Sequence, residues 1–265
     1  MLNRNAHEID FQIFGDDMQL IEIELDPQES VIAEAGAMTM MSEAIEMQTV
    51  FGDGSSQEEG LMSKLLGAGK RLLTGEGLFM TVFTNNGQGK QHVSFAAPYP
   101  GKIIPMDLSK LSGKIICQKD SFLCAAKGVS VGMEFTKKLG AGFFGGEGFI
   151  LQKLEGDGLA FVHAGGTVIE KELKAGEVLR VDTGCLVAMT REVEYDIQMV
   201  KGVKSMLFGG EGLFFAVLKG PGKVWIQSLP LSRLANRIYS ASTTGGGQST
   251  EQGSVLGGLG KLFQE

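Results

Sequence analysis

The tripeptide Gly-Glu-Gly occurs three times in this chain, and its spacing constrains the fold more than any other feature. The copies are Gly75-Glu76-Gly77, Gly146-Glu147-Gly148 and Gly210-Glu211-Gly212, which lie 71 and 64 residues apart. This spacing exceeds the roughly 20–50 residues of a solenoid unit, but it suits one multi-stranded segment of a β domain. The sequence therefore predicts three internal repeats within one domain.

Alternating apolar and polar residues predict β-strands around each motif, because period two places one strand face on a core and the other in water. The predicted strand segments are 31–40, 45–50, 78–83, 115–124, 129–135, 149–154, 179–189, 193–200 and 213–218. Turn signals at 85–87, 155–158 and 219–222 follow the runs after the motifs. We expect the next strand to fold back there as a hairpin.

Composition favours one all-β domain. The chain has 265 residues and 43% hydrophobic content, which is ample for a core, and its 39 glycines lie mostly at predicted strand ends. We expect a β domain over residues 1–240 and a flexible Gly-rich tail over 241–265, which ends in the amphipathic segment 255–263.

The charge distribution argues against nucleic acid as a partner. The net charge is −7, and residues 1–60 carry fourteen Asp or Glu against Arg4 alone. Nucleic-acid-binding proteins usually present clustered basic residues instead. The acidic segment is interpreted as a solvated face, with an acidic docking surface as the alternative.

The cysteines predict a reducing, cytoplasmic environment. Cys117, Cys124 and Cys185 lie in apolar runs without CxxC spacing, as expected of buried small hydrophobic residues. The start of the chain lacks the pattern of a signal or transit peptide. No apolar stretch reaches the roughly 18 residues that a membrane span needs.

Searches for chemistry predict that the protein is not an enzyme and has no cofactor. The three histidines, His7, His92 and His163, are far apart and form no HxH pair, so no metal site is expected. Residues 128–132 match GxSxG, but they run into the predicted strand 129–135 and not into a helix, so they do not form a nucleophile elbow. Residues 140–145 match GxGxxG without a flanking βαβ pattern, and GxxxxGK[ST] does not occur.

The repeated Glu76, Glu147 and Glu211 have two interpretations. Related by pseudo-threefold symmetry, the carboxylates could converge to bind a cation or a basic partner. Alternatively the motif is structural, because the flanking glycines permit a bulge and the carboxylate accepts hydrogen bonds from exposed amides.

Short cationic amphipathic segments precede the motifs. In residues 60–73, apolar residues recur at helical spacing beside Lys64 and Arg71, and shorter counterparts follow at 136–144 and 201–208. These segments could form a membrane-surface or self-association patch, or they could plug the ends of a barrel. The residues proposed for the patch are Leu61, Lys64, Leu65, Leu72, Phe143, Phe144 and Phe208.

Together the triplicated Gly-Glu-Gly, Leu186–Met189 and the Gly165-Gly166 turn resemble the altered-inheritance-of-mitochondria family, number twenty-four, over most of residues 8–240. The resemblance implies a single antiparallel β-barrel or double-stranded β-helix, similar to the tryptophan-attenuator (TRAP-like) class and of pseudo-threefold design. It implies no catalytic residues. Eukaryotic members look like mitochondrial inner-membrane organisation factors, but the absence of a transit-peptide pattern favours a bacterial cytoplasmic member.

The leading functional hypothesis is a non-enzymatic β-barrel protein that acts in assembly or at the membrane periphery. Its expected partners are a second copy of itself or another protein, with weak peripheral contact to membranes. The alternative is a barrel that binds a small ligand at a site formed by strand side chains.

Overall fold

The computed structural model describes residues 5–34, 36–51, 79–137, 149–199 and 214–243. These residues form nineteen β-strands and one α-helix. Every ladder between strands is antiparallel. The predicted all-β character is therefore confirmed, with the addition of one helix.

The strands follow a leading strand, β1 (Asp10–Phe14), in three consecutive groups of six. The first group is β2 (Leu20–Leu25), β3 (Ser30–Glu34), β4 (Met38–Met41), β5 (Ile45–Phe51), β6 (Phe79–Asn85) and β7 (Gln91–Ala96). The second is β8 (Gly101–Asp107), β9 (Lys114–Gln118), β10 (Phe122–Ala126), β11 (Ser130–Lys137), β12 (Phe149–Glu155) and β13 (Leu159–Gly165). The third is β14 (Val168–Leu173), β15 (Val178–Asp182), β16 (Leu186–Thr190), β17 (Glu194–Met199), β18 (Phe214–Lys219) and β19 (Gly222–Gln227).

The same pairing occurs within each group. The first and third strands pair with the sixth, while the second and fourth strands pair with the fifth. An irregularity in register also recurs where the third strand meets the sixth, between Met38 and Met40, between Phe122 and Cys124, and between Leu186 and Ala188. Each group therefore contributes two three-stranded units of the same layout.

Two further ladders join the groups. β3 pairs with β10 and β9 pairs with β16, so the second strand of one group adds to the third strand of the next. The result is four sheets, ordered β1-β2-β7-β4, β5-β6-β3-β10-β13-β8, β11-β12-β9-β16-β19-β14 and β15-β18-β17. None of them closes into a barrel within the described ranges, so the predicted single, TRAP-like barrel is not confirmed.

The three predicted hairpins are wrong. The turns at 85–87, 155–158 and 219–222 do reverse the chain, but the strands on either side of each turn belong to different sheets. The reason is that both edges of the fifth strand are already occupied by the second and fourth strands. The sixth strand must therefore cross to another sheet.

Three of the predicted strand segments each contain two strands, and in the first of them, segment 31–40, these are β3 and β4. A 3-10 turn at Lys119–Ser121 divides segment 115–124, and another at Thr183–Cys185 divides segment 179–189. At the second turn the Asp182 carboxylate accepts the Gly184 N–H at 3.0 Å. The turns are needed because the second and third strands of a group lie in different sheets.

The core confirms the interpretation of the cysteines, since Cys117, Cys124 and Cys185 are all buried and none forms a disulfide. A large apolar cluster extends over the first and second groups and contains Phe83, Phe95 and Phe161. A smaller cluster lies mainly in the third group.

Helix α1 (Leu231–Thr243) follows the last strand and was not predicted. It runs across residue 240, where we place the end of the β domain, and that boundary stays a prediction. In the described part of the chain, no helix has the length and apolar character needed to cross a membrane. The amphipathic segments predicted before the Gly-Glu-Gly motifs lie largely outside the described residues.

Candidate functional site

Strands β4 and β15 each carry an open edge that their counterparts do not have. Among the described residues, β4 pairs only with β7 and β15 pairs only with β18. At each boundary between groups, the second strand of one group pairs with the third strand of the next group: β3 pairs with β10, and β9 pairs with β16. β4 is the third strand of the first group and β15 is the second strand of the third group, and neither has such a partner among the described residues. Within the described ranges, one edge of each of these two strands is therefore open to a partner strand.

Side chains of β4 and β15 are exposed where the corresponding residues of paired strands are buried. All residues of β10 and β16 are buried. In β4, by contrast, Met40 is 52% exposed and Met41 is 41% exposed. In β15, Val178 is 54% exposed, whereas Ser30 at the same position of β3 is buried. The two edges thus expose apolar side chains as well as backbone groups.

The direction of the free backbone groups follows from neighbouring hydrogen bonds. Ser42 donates its N–H to the carbonyl oxygen of His92 at 2.9 Å. Because successive residues of a strand point their N–H and C=O groups to opposite sides, those of Met41 face the open edge. On the other strand, Gly220 donates to the carbonyl oxygen of Glu177 at 2.9 Å, so Val178 and Arg180 face the open edge of β15.

The open edge of β4 also lacks the features that usually protect an edge strand. Charged residues and proline discourage strand addition at an edge. Edge strand β8 carries Lys102 and Pro105, and edge strand β14 carries three consecutive charged residues over 170–172. The four residues of β4 are Met, Thr, Met and Met. The composition of β4 therefore permits strand addition.

A second candidate site lies where the first and second groups join. Burial and, to a smaller extent, the charge of Asp120 raise the pKa of Glu34 to about 7, while Lys119 opposes the rise. Burial also raises the pKa of Tyr99 to about 12, with a further contribution from Asp120. Asp120 thus links Glu34 to Tyr99 electrostatically, and the Glu34 carboxyl can hold a proton near neutral pH.

His163 lies beside this cluster, buried and without hydrogen bonds at either ring nitrogen. Burial lowers its pKa to about 4, and the nearby Tyr99 backbone opposes part of that shift. Gln227 has the same register position in β19. Its side chain accepts the Gly165 N–H at 2.7 Å and donates to the Gly184 carbonyl at 2.8 Å. The same strand position therefore holds a polar side chain without hydrogen bonds in the second group, His163, and a hydrogen-bonded one in the third group, Gln227.

An open cavity of about 290 Å³ lies between residues 7–11 and the β8–β13 pair. Its lining includes His7, Glu8, Asp10, Phe11 and Asp107. Within the described ranges, no group of three or more His, Cys, Asp and Glu side chains is arranged to hold a metal ion.

The site residues predicted from sequence all lie outside the described residues. This applies to the three Gly-Glu-Gly motifs and to the proposed patch of Leu61, Lys64, Leu65, Leu72, Phe143, Phe144 and Phe208. Their roles stay predictions.

Sequence reasoning missed the open edges and helix α1. Aligning the three third strands would have shown Met-Thr-Met-Met in β4 against Phe-Leu-Cys-Ala-Ala in β10 and Leu-Val-Ala-Met-Thr in β16. For the helix, the signal is the apolar spacing of Leu231, Leu234 and Ile238 after Pro230.

Comparison with known proteins gives concordant results. The family model described as Mitochondrial biogenesis AIM24 matches residues 11–229. An uncharacterised protein of Streptococcus pyogenes serotype M6 is 29% identical over 222 residues, which are 83% of this chain and 85% of the relative. A crystal structure of a Streptococcus pyogenes protein is 25% identical, with a TM-score of 0.69 over 88% of this chain and 100% of that chain.

The matched residues reach from β1 to the end of β19 and stop before helix α1, so the match covers all three groups of strands. The chain belongs to the mitochondrial biogenesis AIM24 family.

Proposed function

We propose that this protein is a non-enzymatic β protein of assembly, which joins another chain by strand addition at its open sheet edges. The observation that carries the proposal is that, among the described residues, β4 and β15 each have a partner on one edge alone, while the corresponding strands at both internal joins are paired on both edges. Strand addition gains affinity from backbone hydrogen bonds and specificity from alternate side chains. The non-enzymatic role rests on the sequence, which predicts neither a nucleophile elbow nor a metal site.

The exposed side chains favour the same conclusion. A join like the internal ones would cover Met40, Met41 and Val178. Fully burying an apolar side chain of this size stabilises by about 1.5–3 kcal/mol. Adjacent apolar side chains on an exposed, uncharged edge strand are typical of an interaction surface.

The proposal also includes the fold arrangement and the location that the sequence predicts. A pseudo-threefold, TRAP-like arrangement is supported by the pairing that recurs in the three groups. A cytoplasmic location is supported by three cysteines that are buried and free of disulfides.

The test compares two lysine substitutions in extracts of the native source. Met41→Lys places a charge on the open edge of β4. Met47→Lys places the same charge on β5, at a methionine that is 52% exposed. We expect the wild type and Met47→Lys to sediment in complexes larger than the 28.3 kDa chain, and Met41→Lys to sediment as the single chain. Equal sedimentation of all three proteins would contradict the proposal.

Peripheral membrane contact is a second candidate function, supported by helix α1. Ile238 is 63% exposed and Tyr239 is 70% exposed. Arg233 and Arg237 lie on the polar face at helical spacing from the apolar residues. An exposed helix of this kind can lie on an anionic lipid surface.

Binding of a small ligand is the alternative function. It is supported by the unsatisfied ring nitrogens of His163 beside Tyr99, and by the cavity at residues 7–11. Polar groups without partners in a buried position are typical of ligand sites or of bound water.

A further inference from the structure

We propose that the chain accepted at the open edges is a second copy of this protein, so that β15 of one copy pairs with β4 of the next. The inference rests on the proposed function and names its partner. The template is inside the chain, because a second strand already adds to a third strand at both group boundaries. β15 is a second strand without a third-strand partner, and β4 is a third strand without a second-strand partner, so β15 of one copy and β4 of another can form the same kind of ladder.

The internal joins predict the register between copies. In the first, Cys124, Ala125 and Ala126 align with Ala33, Ile32 and Val31. In the second, Ala188, Met189 and Thr190 align with Cys117, Ile116 and Ile115. The shared irregularity of the third strands places Met40 level with Cys124 and Ala188. The corresponding register between copies is Met40 with Val181, Met41 with Arg180, and Ser42 with Leu179.

This register makes hydrogen-bonding directions match. Met41 and Arg180 both turn their backbone N–H and C=O groups to the open edges, as shown by the bonds of Ser42 and Glu177 to their own sheets. In the first internal join, the pair that corresponds to Met41 and Arg180 is Ala125 and Ile32. Two residues along that ladder, Lys127 donates its N–H to the Ser30 carbonyl oxygen at 3.0 Å, so Ala125 and Ile32 also face each other with their backbone groups. A shift by one residue would lose this match.

Charge is also complementary at the new join. Glu43 is exposed and lies two residues beyond Met41, so it sits diagonally across from Arg180, which is exposed as well. At the first internal join the corresponding residues are Lys127 and Ile32, so that join has no such pair. An acidic residue facing a basic one is thus specific to the join between copies.

The association is head-to-tail. Each copy has one β4 and one β15, which are not paired with each other in the described chain. A join between copies therefore leaves one free edge at each end of the assembly. Repetition of the same step gives a closed ring if the rotation closes, and an open filament if it does not.

The register is tested by cross-linking the purified full-length protein under mild oxidation. A chain with Ser42→Cys is mixed with a chain with Leu179→Cys. Non-hydrogen-bonded pairs across antiparallel strands bring Cα atoms within disulfide range. We expect a disulfide-linked dimer in this mixture. The matched control mixes Ser42→Cys with Val178→Cys, which is one residue out of register, and should give at least tenfold less dimer.

Charge reversal supplies a test that leaves the core untouched. We expect Arg180→Glu to weaken self-association about two- to fivefold in sedimentation equilibrium, and Glu43→Lys in the same chain to restore it. Equal cross-linking in both mixtures would overturn the proposed register. Purified protein that stays a single chain at every concentration would overturn self-pairing; complexes in extract that still depend on Met41 would then leave the proposed function standing.

Discussion

The imidazole ring of His163 stands edge-on against the phenol ring of Tyr99, with ring centroids 4.4 Å apart and planes at 85°. The aromatic contact holds the imidazole in a buried position where neither nitrogen has a hydrogen-bond partner. The neutral ring is therefore favoured over the charged one.

Acid should destabilise the protein through His163. Its pKa falls from 6.5 to about 4 on folding, so the unfolded chain binds the proton first as the pH drops. Stability from this group is present above pH 6.5 and is lost as the pH falls toward 4, by about 1–3 kcal/mol. We expect His163→Leu to lose less stability than the wild type between pH 7 and 4.5 in urea titrations. His92→Leu, at a half-buried histidine whose ring is hydrogen-bonded to Glu24, is the control. The same acid response in all three proteins would contradict this account.

Glu34 should have the opposite effect on the pH dependence of stability, because its contribution is lost as the pH rises. Its pKa rises from 4.5 to about 7 on folding, so the folded protein holds the proton that the unfolded chain has lost. The contribution is present below pH 4.5 and disappears as the pH rises through 7.

We therefore expect Glu34→Gln to raise the free energy of unfolding by about 1–3 kcal/mol at pH 8, with a much smaller effect at pH 4. Denaturant titrations at both pH values measure the difference. Glu172→Gln, at an exposed glutamate, should change little at either pH. A gain for Glu34→Gln that is equal at pH 4 and pH 8 would rule out titration of this carboxyl as its cause.

The contact between the second and third groups should not tolerate a larger residue at Gly165. A Cβ there would lie 1.9 Å from the Leu229 carbonyl oxygen and 2.8 Å from a ring carbon of Tyr99. We expect Gly165→Ala to lower stability by about 1–3 kcal/mol. Gly89→Ala is the matched control, because no heavy atom lies within 4 Å of its added Cβ. Thermal unfolding of the two variants at equal midpoints would refute the close packing.

Helix α1 should contact anionic membranes if the second candidate function holds. Ile238→Asp adds a charge to the apolar face, whereas Asn236→Asp adds the same charge to the polar face. In co-flotation at low salt, we expect the wild type and Asn236→Asp to float with anionic vesicles and Ile238→Asp to remain in the dense fraction. Loss of flotation in both variants would assign binding to net charge alone.

Local sequence patterns predicted the strands better than their arrangement. Alternation located β5, β6, β12 and β18 nearly to the residue, because the period of a half-buried strand is a local property. The turns after β6, β12 and β18 were visible too. The sequence did not show which sheet receives the strand after each turn, because that depends on whether the edges of the fifth strand are already occupied.

The candidate sites were harder to predict for the same reason. Met40 and Met41 resemble residues of any half-buried strand, and their exposure depends on the absence of a partner for β4. Glu34 and Asp120 lie far apart in sequence and approach each other only through the β3–β10 join. The burial of Cys117 and Cys124, by contrast, follows from their apolar neighbours and was predicted correctly.

Amide hydrogen exchange at the two open edges tests the central claim most directly. The account predicts that the N–H groups of Met41 and Arg180 exchange slowly in concentrated protein and quickly on dilution, since pairing between chains protects them. Amides of edge strand β14 should show no dependence on concentration. Fast exchange at Met41 and Arg180 at every concentration would contradict the account.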